Sequence, residues 1–365
     1  MADLSVEIAG IRFPNPIMPA AGPPVRDGRA ILRCAAGGAG GLVSKTISRY
    51  AAEPPTPNIA EIGHGLVNTE LWSELPPERW IDHEYAIARG AGLPLIVSLG
   101  YSADDIAWLA PQIRPFADAV ELSTHYIGED AAPMVAAIGA AKAALDVPVF
   151  VKLSPLGREM VRAAEQAEGA GADGIVAINS FGPVLAIDPE TRLPHLGGSD
   201  GYGWLSGPAI KTLALRCVRD IARAVRIPVI GVGGVSHGID AVEMLMAGAS
   251  AVQVCTAAML HGTGVFGKIA HELDAWLDAH GYATAAEIQG VALGGMPAAW
   301  SAGIPVVSEE PCNGCDLCAM SCPYEAIAIV ERLAVIDLAA CVRCGLCVTR
   351  CRRGAIDWVP QAPVA

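Results

Sequence analysis

Short apolar runs recur along the first 280 residues of the chain. Most are continuous rather than alternating, which is the pattern of parallel strands buried on both faces. Alanine-rich amphipathic stretches such as 132–145, 159–172 and 208–225 lie between them and predict helices. Strand and helix alternating eight times predict a (β/α)8 TIM barrel, an α/β fold. The predicted strands are 15–20, 41–46, 93–100, 116–123, 147–154, 172–179, 227–235 and 250–257.

The C-terminal region is dominated by cysteine. Of 11 cysteines in the chain, all but Cys34, Cys217 and Cys255 fall within 312–351, in two runs of the form C-x2-C-x2-C-x3-C. This is the spacing of bacterial two-cluster ferredoxins, in which three cysteines of a run bind one [4Fe–4S] cluster and the fourth binds the other. Zinc sites, the alternative, are usually built from C-x2-C pairs. The spacing assigns Cys312, Cys315, Cys318 and Cys351 to one cluster, and Cys322, Cys341, Cys344 and Cys347 to the other.

Composition narrows the class of protein. Apolar residues make up 52% of the 365 positions, enough for a large core, and the net charge of −13 argues against nucleic acid as a partner. We find no membrane-spanning run and no signal peptide, so we expect a cytoplasmic protein with no membrane partner. The predicted organisation is a barrel over 1–280, a linker over 281–308 and a two-[4Fe–4S] ferredoxin-like domain over 309–365. The sequence leaves open whether the chain forms a homo-oligomer.

The ends of the predicted strands carry the candidate chemistry. Active groups of such barrels lie at the carboxyl ends of the strands, and nearly all of these ends are small or polar here. The glycine-rich segment 231–235, followed by the strand 250–257, fits a phosphate site after strands seven and eight. Beside two iron–sulfur clusters, FMN is the natural phosphate-bearing ligand, because a flavin exchanges single electrons with clusters and a hydride with a substrate.

Several motifs carry a family resemblance. VSKTIS, NTELWSE, VELS, FVKLSP, PVIGVGGV and AVQVCTAA, in this order, resemble the dihydroorotate dehydrogenase superfamily, with the flavin and ferredoxin half of dihydropyrimidine dehydrogenase as the nearest branch. The resemblance implies an oxidoreductase acting on CH–CH bonds, with Lys45 near the flavin ring and Lys152 near its N1 and C2=O. It also implies substrate contacts from Asn68, Glu70, Asn179 and Ser180. The FMN contacts that it implies are Ala20, Ala21, Gly22, Lys45, Asn68, Ser123, Lys152, Asn179, Gly207, Gly233, Gly234, Cys255 and Thr256.

One segment departs from the family pattern. The family has a cysteine after strand four that transfers a proton to or from the substrate carbon, whereas this chain reads ELSTHYIGED. In register, Ser123 replaces the family's substrate-binding asparagine, His125 a serine and Tyr126 that cysteine. Tyr126 and His125, together with Lys45, are therefore the catalytic candidates; alternatively, His125 and Tyr126 only fill the space of a shortened loop. Because the cysteine is missing, we expect that neither uracil nor orotate is the substrate.

Two functions remain open. In the first, electrons pass between a partner protein, the two clusters and FMN, which reduces or oxidises a C=C or C–C bond of a cyclic or conjugated small molecule. In the second, the chain is an FMN and iron–sulfur electron-transfer subunit without substrate chemistry of its own. The sequence has no strand–GxGxxG–helix unit, so we expect the electron partner to be a separate ferredoxin or NAD(P)/FAD subunit. The long connection 189–207, with His195, Tyr202 and Trp204, is either a lid over the substrate or a flexible surface loop.

Overall fold

The computed structural model describes residues 2–100, 102–123, 130–155, 157 and 159–361. The chain forms two compact units, Met1–Leu293 and Gly294–Ala365, and each is described by itself. The domain boundaries predicted after residues 280 and 308 lie on either side of this division and stay a prediction.

The N-terminal unit is built on eight parallel strands in a nearly closed barrel, as the sequence predicts. Along the sheet, the first strand pairs with the eighth. The eighth pairs with the seventh, and the order then descends strand by strand to the second. Every strand is buried along its whole length, which explains why the runs in the sequence are continuous rather than alternating. The strands are β1 (Ile17–Pro19), β2 (Leu42–Val43), β3 (Leu95–Leu99), β4 (Ala119–Leu122), β5 (Val149–Leu153), β6 (Gly174–Ala177), β7 (Val229–Val232) and β8 (Ala249–Val254).

Helices cover the outside of the barrel and bury their apolar faces against the strands. Side chains fix where some of them begin: Asp27 accepts the backbone N–H of Ala30, and Ser102 and Asp105 form a capping box. The helices are α1 (Gly28–Ala36), α2 (a continuous run of Pro77–Arg79, the π-helical turn Trp80–Glu84 and Tyr85–Arg89), α3 (Ala103–Ile113), α4 (Ala132–Ala144), α5 (Glu159–Gly169), α6 (Lys211–Ala224), α7 (Gly238–Met246), α8 (Thr256–His261) and α9 (Val265–Ala279). Short 3-10 turns lie at Pro23–Val25, Pro208–Ile210 and Ala285–Ile288.

The interior of the barrel has an apolar lower layer and a polar upper one. Met18, Val43, Ile96, Ala119 and Phe150 belong to one buried cluster, which the hairpin of Val6–Ile8 and Ile11–Phe13 joins. Side chains in a strand alternate between its two faces, so the residues two positions later also point inward. These next positions include Lys45, Ser98, Glu121, Lys152 and Gln253, all of them buried. The upper layer therefore places charged and polar groups at the carboxyl ends of the strands.

A second sheet forms at the same end of the barrel from two excursions of the chain. Its four antiparallel strands follow the order Phe181–Val184, Gly203–Ser206, Gly65–Asn68 and Ile59–Ile62. Pairing of Trp204 with Asn68 joins the excursion after β6 to the excursion after β2. The connection 189–207 therefore ends in a paired strand, and a small hairpin of Ile187–Asp188 with Leu193–Pro194 precedes that strand.

The C-terminal unit is small and repeats one pattern. Ile304–Val307 pairs with Ile356–Val359, and Ile327–Val330 pairs with Leu333–Ile336, both antiparallel. A short helix contains the third cysteine of each triplet, Leu317–Met320 in the first half and Leu346–Arg350 in the second. Among the described residues of the whole chain, no helix is long and apolar enough to cross a membrane.

Candidate active site and cluster sites

A single cleft at the carboxyl ends of the barrel strands collects the predicted barrel residues. Its volume is about 1120 Å³, including space open to solvent. Trp204 and Leu66 of the antiparallel sheet also line it, so this sheet forms one wall. The roles of the collected residues stay predictions. They are Ala20, Ala21, Gly22, Lys45, Asn68, Glu70, Ser123, Lys152, Asn179, Ser180, Gly207, Gly233, Gly234, Cys255 and Thr256.

The floor of the cleft carries a buried network of three side chains. The Lys152 Nζ lies 3.4 Å from a carboxylate oxygen of Glu121 and 3.3 Å from the side-chain oxygen of Gln253. The Gln253 amide donates to the other Glu121 oxygen at 2.6 Å. All three residues are at most 4% exposed. The Glu121 carboxylate therefore compensates the buried charge of the Lys152 ammonium group and fixes its position. A buried lysine without such a partner would have neither the compensation nor the fixed position.

A second ion pair lies in the wall of the cleft. Lys45 donates to Glu70 at 2.6 Å, and Asn58 donates to the other Glu70 oxygen at 2.6 Å. The side chains of Lys45 and Glu70 are 3% and 14% exposed. Lys45 lies two residues after β2, whereas Glu70 follows the strand Gly65–Asn68, so the antiparallel sheet brings the carboxylate to the barrel lysine.

Asn58, Glu121 and Gln253 were not predicted from the sequence as site residues. The sequence did contain a signal for Glu121 and Gln253, because each is a polar residue with apolar neighbours on both sides, inside a strand that is buried along its whole length. Asn58 had none, since it lies in an irregular segment before the strand Ile59–Ile62.

A glycine cradle closes the phosphate end of the cleft. Gly233 and Gly234 follow β7 with φ of +127° and +77°, a backbone region that favours glycine. A Cβ atom on Gly234 would lie 2.6 Å from the Lys211 Cβ, and one on Gly233 would lie 2.7 Å from the Ala214 Cβ, both at the start of α6. The glycines thus let the loop pack directly on α6 while it lines the cleft, and an end of the cleft without side chains fits the phosphate of FMN.

Cys255 follows β8 and packs against Gly22. A Cβ atom on Gly22 would come within 2.8 Å of the Cys255 Sγ. Burial raises the pKa of Cys255 to about 11, although Lys152 and Lys45 oppose the shift. A pKa in this range keeps the thiol protonated at neutral pH.

Two polar side chains predicted to bind substrate already have partners in the protein. The Asn68 amide donates to the carbonyl of Trp204 at 3.0 Å, and its oxygen accepts the Glu70 backbone N–H at 3.2 Å. The Asn179 oxygen accepts the backbone N–H of Ser180 at 2.9 Å. These bonds fix the two amides in the wall of the cleft, and each amide keeps at least one N–H available for a ligand.

Some candidates lie elsewhere. His125 and Tyr126, the residues proposed for proton transfer, lie outside the described residues. Of the three candidates in the long connection, Trp204 lines the cleft, whereas His195 and Tyr202 do not. Tyr202 is 55% exposed.

In the C-terminal unit, the eight cysteines enclose two separate voids of about 330 Å³ each. Cys312, Cys315, Cys318 and Cys351 line the first, and Cys322, Cys341, Cys344 and Cys347 line the second. This grouping matches the crossed assignment from the sequence. The backbone N–H groups of Arg343 and Ala355 donate to the sulfurs of Cys341 and Cys351, at 3.3 and 3.2 Å. Thiolates around a void, with N–H donors to sulfur, fit a cubane cluster.

Comparisons with known proteins agree with both units. The dihydroorotate dehydrogenase family model matches residues 3–277, and the 4Fe-4S dicluster domain model matches residues 311–355. The chain is 38% identical over 301 residues to the catalytic subunit of dihydroorotate dehydrogenase B (NAD(+)) from Methanothermobacter thermautotrophicus, covering 79% of this chain and 98% of the relative. The proteins of the same name from Thermococcus kodakarensis and Geobacter sulfurreducens are 38% and 36% identical, over 80% and 79% of this chain and 99% and 97% of theirs.

The cofactors that fit this combination of domains are FMN in the barrel and two [4Fe–4S] clusters in the C-terminal unit. The chain belongs to the dihydroorotate dehydrogenase family and is an iron–sulfur flavoprotein oxidoreductase acting on CH–CH bonds.

Proposed function

We propose that the chain is the substrate-converting subunit of an enzyme that reduces or oxidises a C=C or C–C bond of a neutral, cyclic or conjugated small molecule. Electrons enter or leave through the two clusters and a separate protein. The observation that carries the proposal is the charge balance of the cleft: both lysines that line its described part are paired with carboxylates.

In this proposal, some residues of the cleft bind the cofactor and others bind the substrate. FMN, when bound, supplies hydride exchange with the substrate and single-electron exchange with the clusters. The glycine cradle holds the phosphate, while Lys152, fixed by Glu121 and Gln253, supplies a positioned cation. The antiparallel sheet covers the opposite side and brings Asn68 and Glu70 to the substrate.

Charge pairing favours a neutral substrate. An anionic substrate needs a cation that is free to pair with it, whereas Lys45 donates to Glu70 and Lys152 faces Glu121. Glu70 itself would repel a carboxylate brought into the same wall. A lactam or imide, in contrast, offers N–H donors to Glu70 and carbonyl acceptors to Asn68 and Asn179.

The proton comes from a side chain near the end of β4 in this proposal. Tyr126 has the register position of the family's cysteine, and His125 is its neighbour. A phenol that stays protonated at neutral pH can donate a proton during reduction, so Tyr126 is the preferred donor.

Dihydroorotate oxidation is a second candidate. It is favoured by the relatives, which are named as catalytic subunits of dihydroorotate dehydrogenase B (NAD(+)) and are matched over 97% or more of their length. Against it stand the paired lysines and the absence of a cysteine from the segment ELSTHYIGED.

A substrate panel separates the candidates. The holoprotein is reduced anaerobically, and reoxidation of its flavin is followed after addition of orotate, uracil or neutral unsaturated lactams. We expect rapid reoxidation by a neutral compound and slow reoxidation by orotate and uracil. Rapid reoxidation by orotate would replace the proposal with the second candidate. If no compound reoxidises the flavin while a reduced or oxidised partner protein exchanges electrons with it, the chain is an electron-transfer subunit.

A further inference from the structure

The two cluster sites of the C-terminal unit are built from repeated sequence. We call the void lined by Cys312, Cys315, Cys318 and Cys351 the first cluster site, and the void lined by Cys322, Cys341, Cys344 and Cys347 the second cluster site. The fourth cysteine of each site comes from the other half of the unit. The chain that follows it reads CRRGAI over 351–356 at the first site and CPYEAI over 322–327 at the second.

These two segments have similar backbones. Glu325 and Gly354 lie three positions after the cysteine and have φ of +51° and +61°. The alanine after each of them is buried, and a strand begins directly after that alanine. The residues two positions after the cysteine, Tyr324 and Arg353, are therefore structurally equivalent.

Both of these equivalent residues line a void, but only one of them carries a charge. Tyr324 lines the second cluster site, whereas Arg353 lines the first. Apart from the cysteines, Arg353 is the one ionic side chain among the described residues that line the two sites. Within the described part of the chain, Arg353 forms no ion pair, so no carboxylate there compensates its charge.

The other determinants of a cluster potential are matched between the two sites. The potential depends on cluster type, net charge, hydrogen bonds to sulfur and exposure to solvent. The two cysteine runs have the same spacing, which predicts the same type of cluster. Cys318 and Cys347 are each 8% exposed, and a backbone N–H donates to a ligand sulfur in each site, at Cys351 or at Cys341. Charge is therefore the determinant that differs between them.

Two further differences around the voids have less influence on charge. Asn313 lines the first site where Val342 lines the second, and both side chains are uncharged. Asp316 and Arg343 belong to the cysteine loops, but both are exposed and neither lines a void. Water and salt weaken the effect of exposed charges, so the charge that lines a void itself has the largest effect.

We infer that Arg353 raises the reduction potential of the cluster in the first site above that of the cluster in the second. Reduction adds one negative charge to a cluster, and a cation at the edge of the site stabilises that charge. Exchange between the sites moves one electron from the second cluster to the first, with no bond formed or broken. The inference goes beyond the proposed function, because these potentials do not depend on a substrate.

The test is a potentiometric titration of the full holoprotein without substrate, followed by electron paramagnetic resonance. Wild type should show two cluster potentials, and Cys344→Ser, which removes a ligand of the second site, should keep the higher one. We expect Arg353→Gln to lower the ratio of reduced to oxidised first-site cluster about tenfold at a fixed potential. For one electron this is a downward shift of about 59 mV. The potential of the second-site cluster should change far less.

Matched variants separate charge from shape. Arg353→Lys keeps the charge and should keep the potential. Arg352→Gln removes a neighbouring exposed charge that lines neither site, and it should change both potentials far less than Arg353→Gln does. Tyr324→Arg places a cation at the equivalent position and should raise the potential of the second-site cluster. Iron analysis shows whether each variant keeps both clusters.

Several results would overturn the inference. These are equal shifts in Arg353→Gln and Arg352→Gln, the same downward shift in Arg353→Lys as in Arg353→Gln, and retention of the lower wild-type potential in Cys344→Ser. If Arg353→Gln loses iron, Tyr324→Arg decides, and an unchanged second-site potential in that variant would contradict the role of charge. Flavin reoxidation by substrates is measured separately, so failure of the proposed function leaves this result unaffected.

Discussion

The two lysines that line the described part of this cleft are each paired with a carboxylate. Lys152 and Lys45 are both nearly inaccessible, yet each has a carboxylate within reach, so neither is an isolated buried charge. The pairing also limits how strongly each lysine attracts an anion. The properties of the bound flavin should thus depend on residues that do not touch it.

Glu121 offers the sharpest test of this dependence. Glu121→Gln removes the charge that opposes Lys152 and keeps the side-chain shape, so the cation near the flavin becomes uncompensated. Because a cation stabilises the anionic reduced flavin, we expect the midpoint potential of the flavin to rise while FMN remains bound. Potentiometric titration checks the shift. Lys152→Gln is the matched control and should lower the potential; shifts of the same sign would contradict the assignment.

A second prediction concerns the proton donor. Tyr126→Phe should leave FMN binding and cluster-to-flavin transfer intact and slow substrate-dependent flavin reoxidation by about 100-fold or more. Rapid mixing of the reduced protein with substrate measures it. Should Tyr126→Phe be silent and His125→Ala slow, the donor is His125; should both be silent, neither residue donates the proton.

Among the elements, the loops after β7 and at the cysteine triplets are the least tolerant of change. Their backbone is held in left-handed conformations beside closely packed neighbours, as at Gly234 and Gly314. Side-chain replacement there alters the path of the chain itself. Cofactor binding should consequently fail before folding does.

Gly234→Ala tests the cradle. The new methyl group would lie 2.6 Å from the Lys211 Cβ and 3.0 Å from the Gly207 oxygen, so the loop must move. We expect a large loss of FMN after reconstitution, measured by flavin absorbance per chain. Gly92→Ala is the matched control, because Gly92 has φ of +68° but nothing within 4 Å of its Cβ position. It should lose only about 1–2 kcal/mol of stability and keep FMN; equal FMN loss in both variants would rule out the cradle.

Cys344→Ser tests the crossed cluster assignment. Anaerobically prepared wild type should hold about eight iron atoms, and the variant about four, with the cluster of Cys312, Cys315, Cys318 and Cys351 retained. Iron analysis and electron paramagnetic resonance measure this, and FMN content should not change. Cys217→Ala removes a buried barrel cysteine as a control and should lose no iron. Zinc in place of iron would contradict the assignment.

The molecule as a whole combines the barrel unit with a unit for two iron–sulfur clusters. The relatives are matched over nearly their entire length, whereas about a fifth of this chain falls outside the alignment. We expect the barrel unit Met1–Leu293 to be independent of the C-terminal unit in folding.

Truncation after Leu293 tests this independence. We expect Met1–Leu293 to fold, bind FMN and be reduced by deazaflavin and light, but to contain no iron and to react far more slowly with reduced ferredoxin. Thermal denaturation and the ferredoxin rate measure the two parts of the prediction. A fragment that aggregates without FMN would show that the barrel depends on the C-terminal unit; the full chain purified in parallel is the control.

Local patterns were sufficient to predict the barrel strands, and they also predict the cluster ligands. The eight barrel strands follow from continuous apolar runs, because both faces of each strand are buried. The grouping of Cys312 with Cys351 and of Cys322 with Cys341 follows from spacing, because short intervals between thiolates leave few ways to surround a cluster.

The charge balance of the cleft depends on contacts between separate segments. Lys152 and Glu121 are 31 positions apart, and Lys45 and Glu70 are 25 apart. Neither partner carries a local signal for the other, since their approach depends on closure of the barrel and on pairing of its two excursions. The sequence therefore predicts where the two lysines lie, whereas only the tertiary structure pairs each of them with a carboxylate. The reason is that a buried charge is stable only where the fold brings an opposite charge to it.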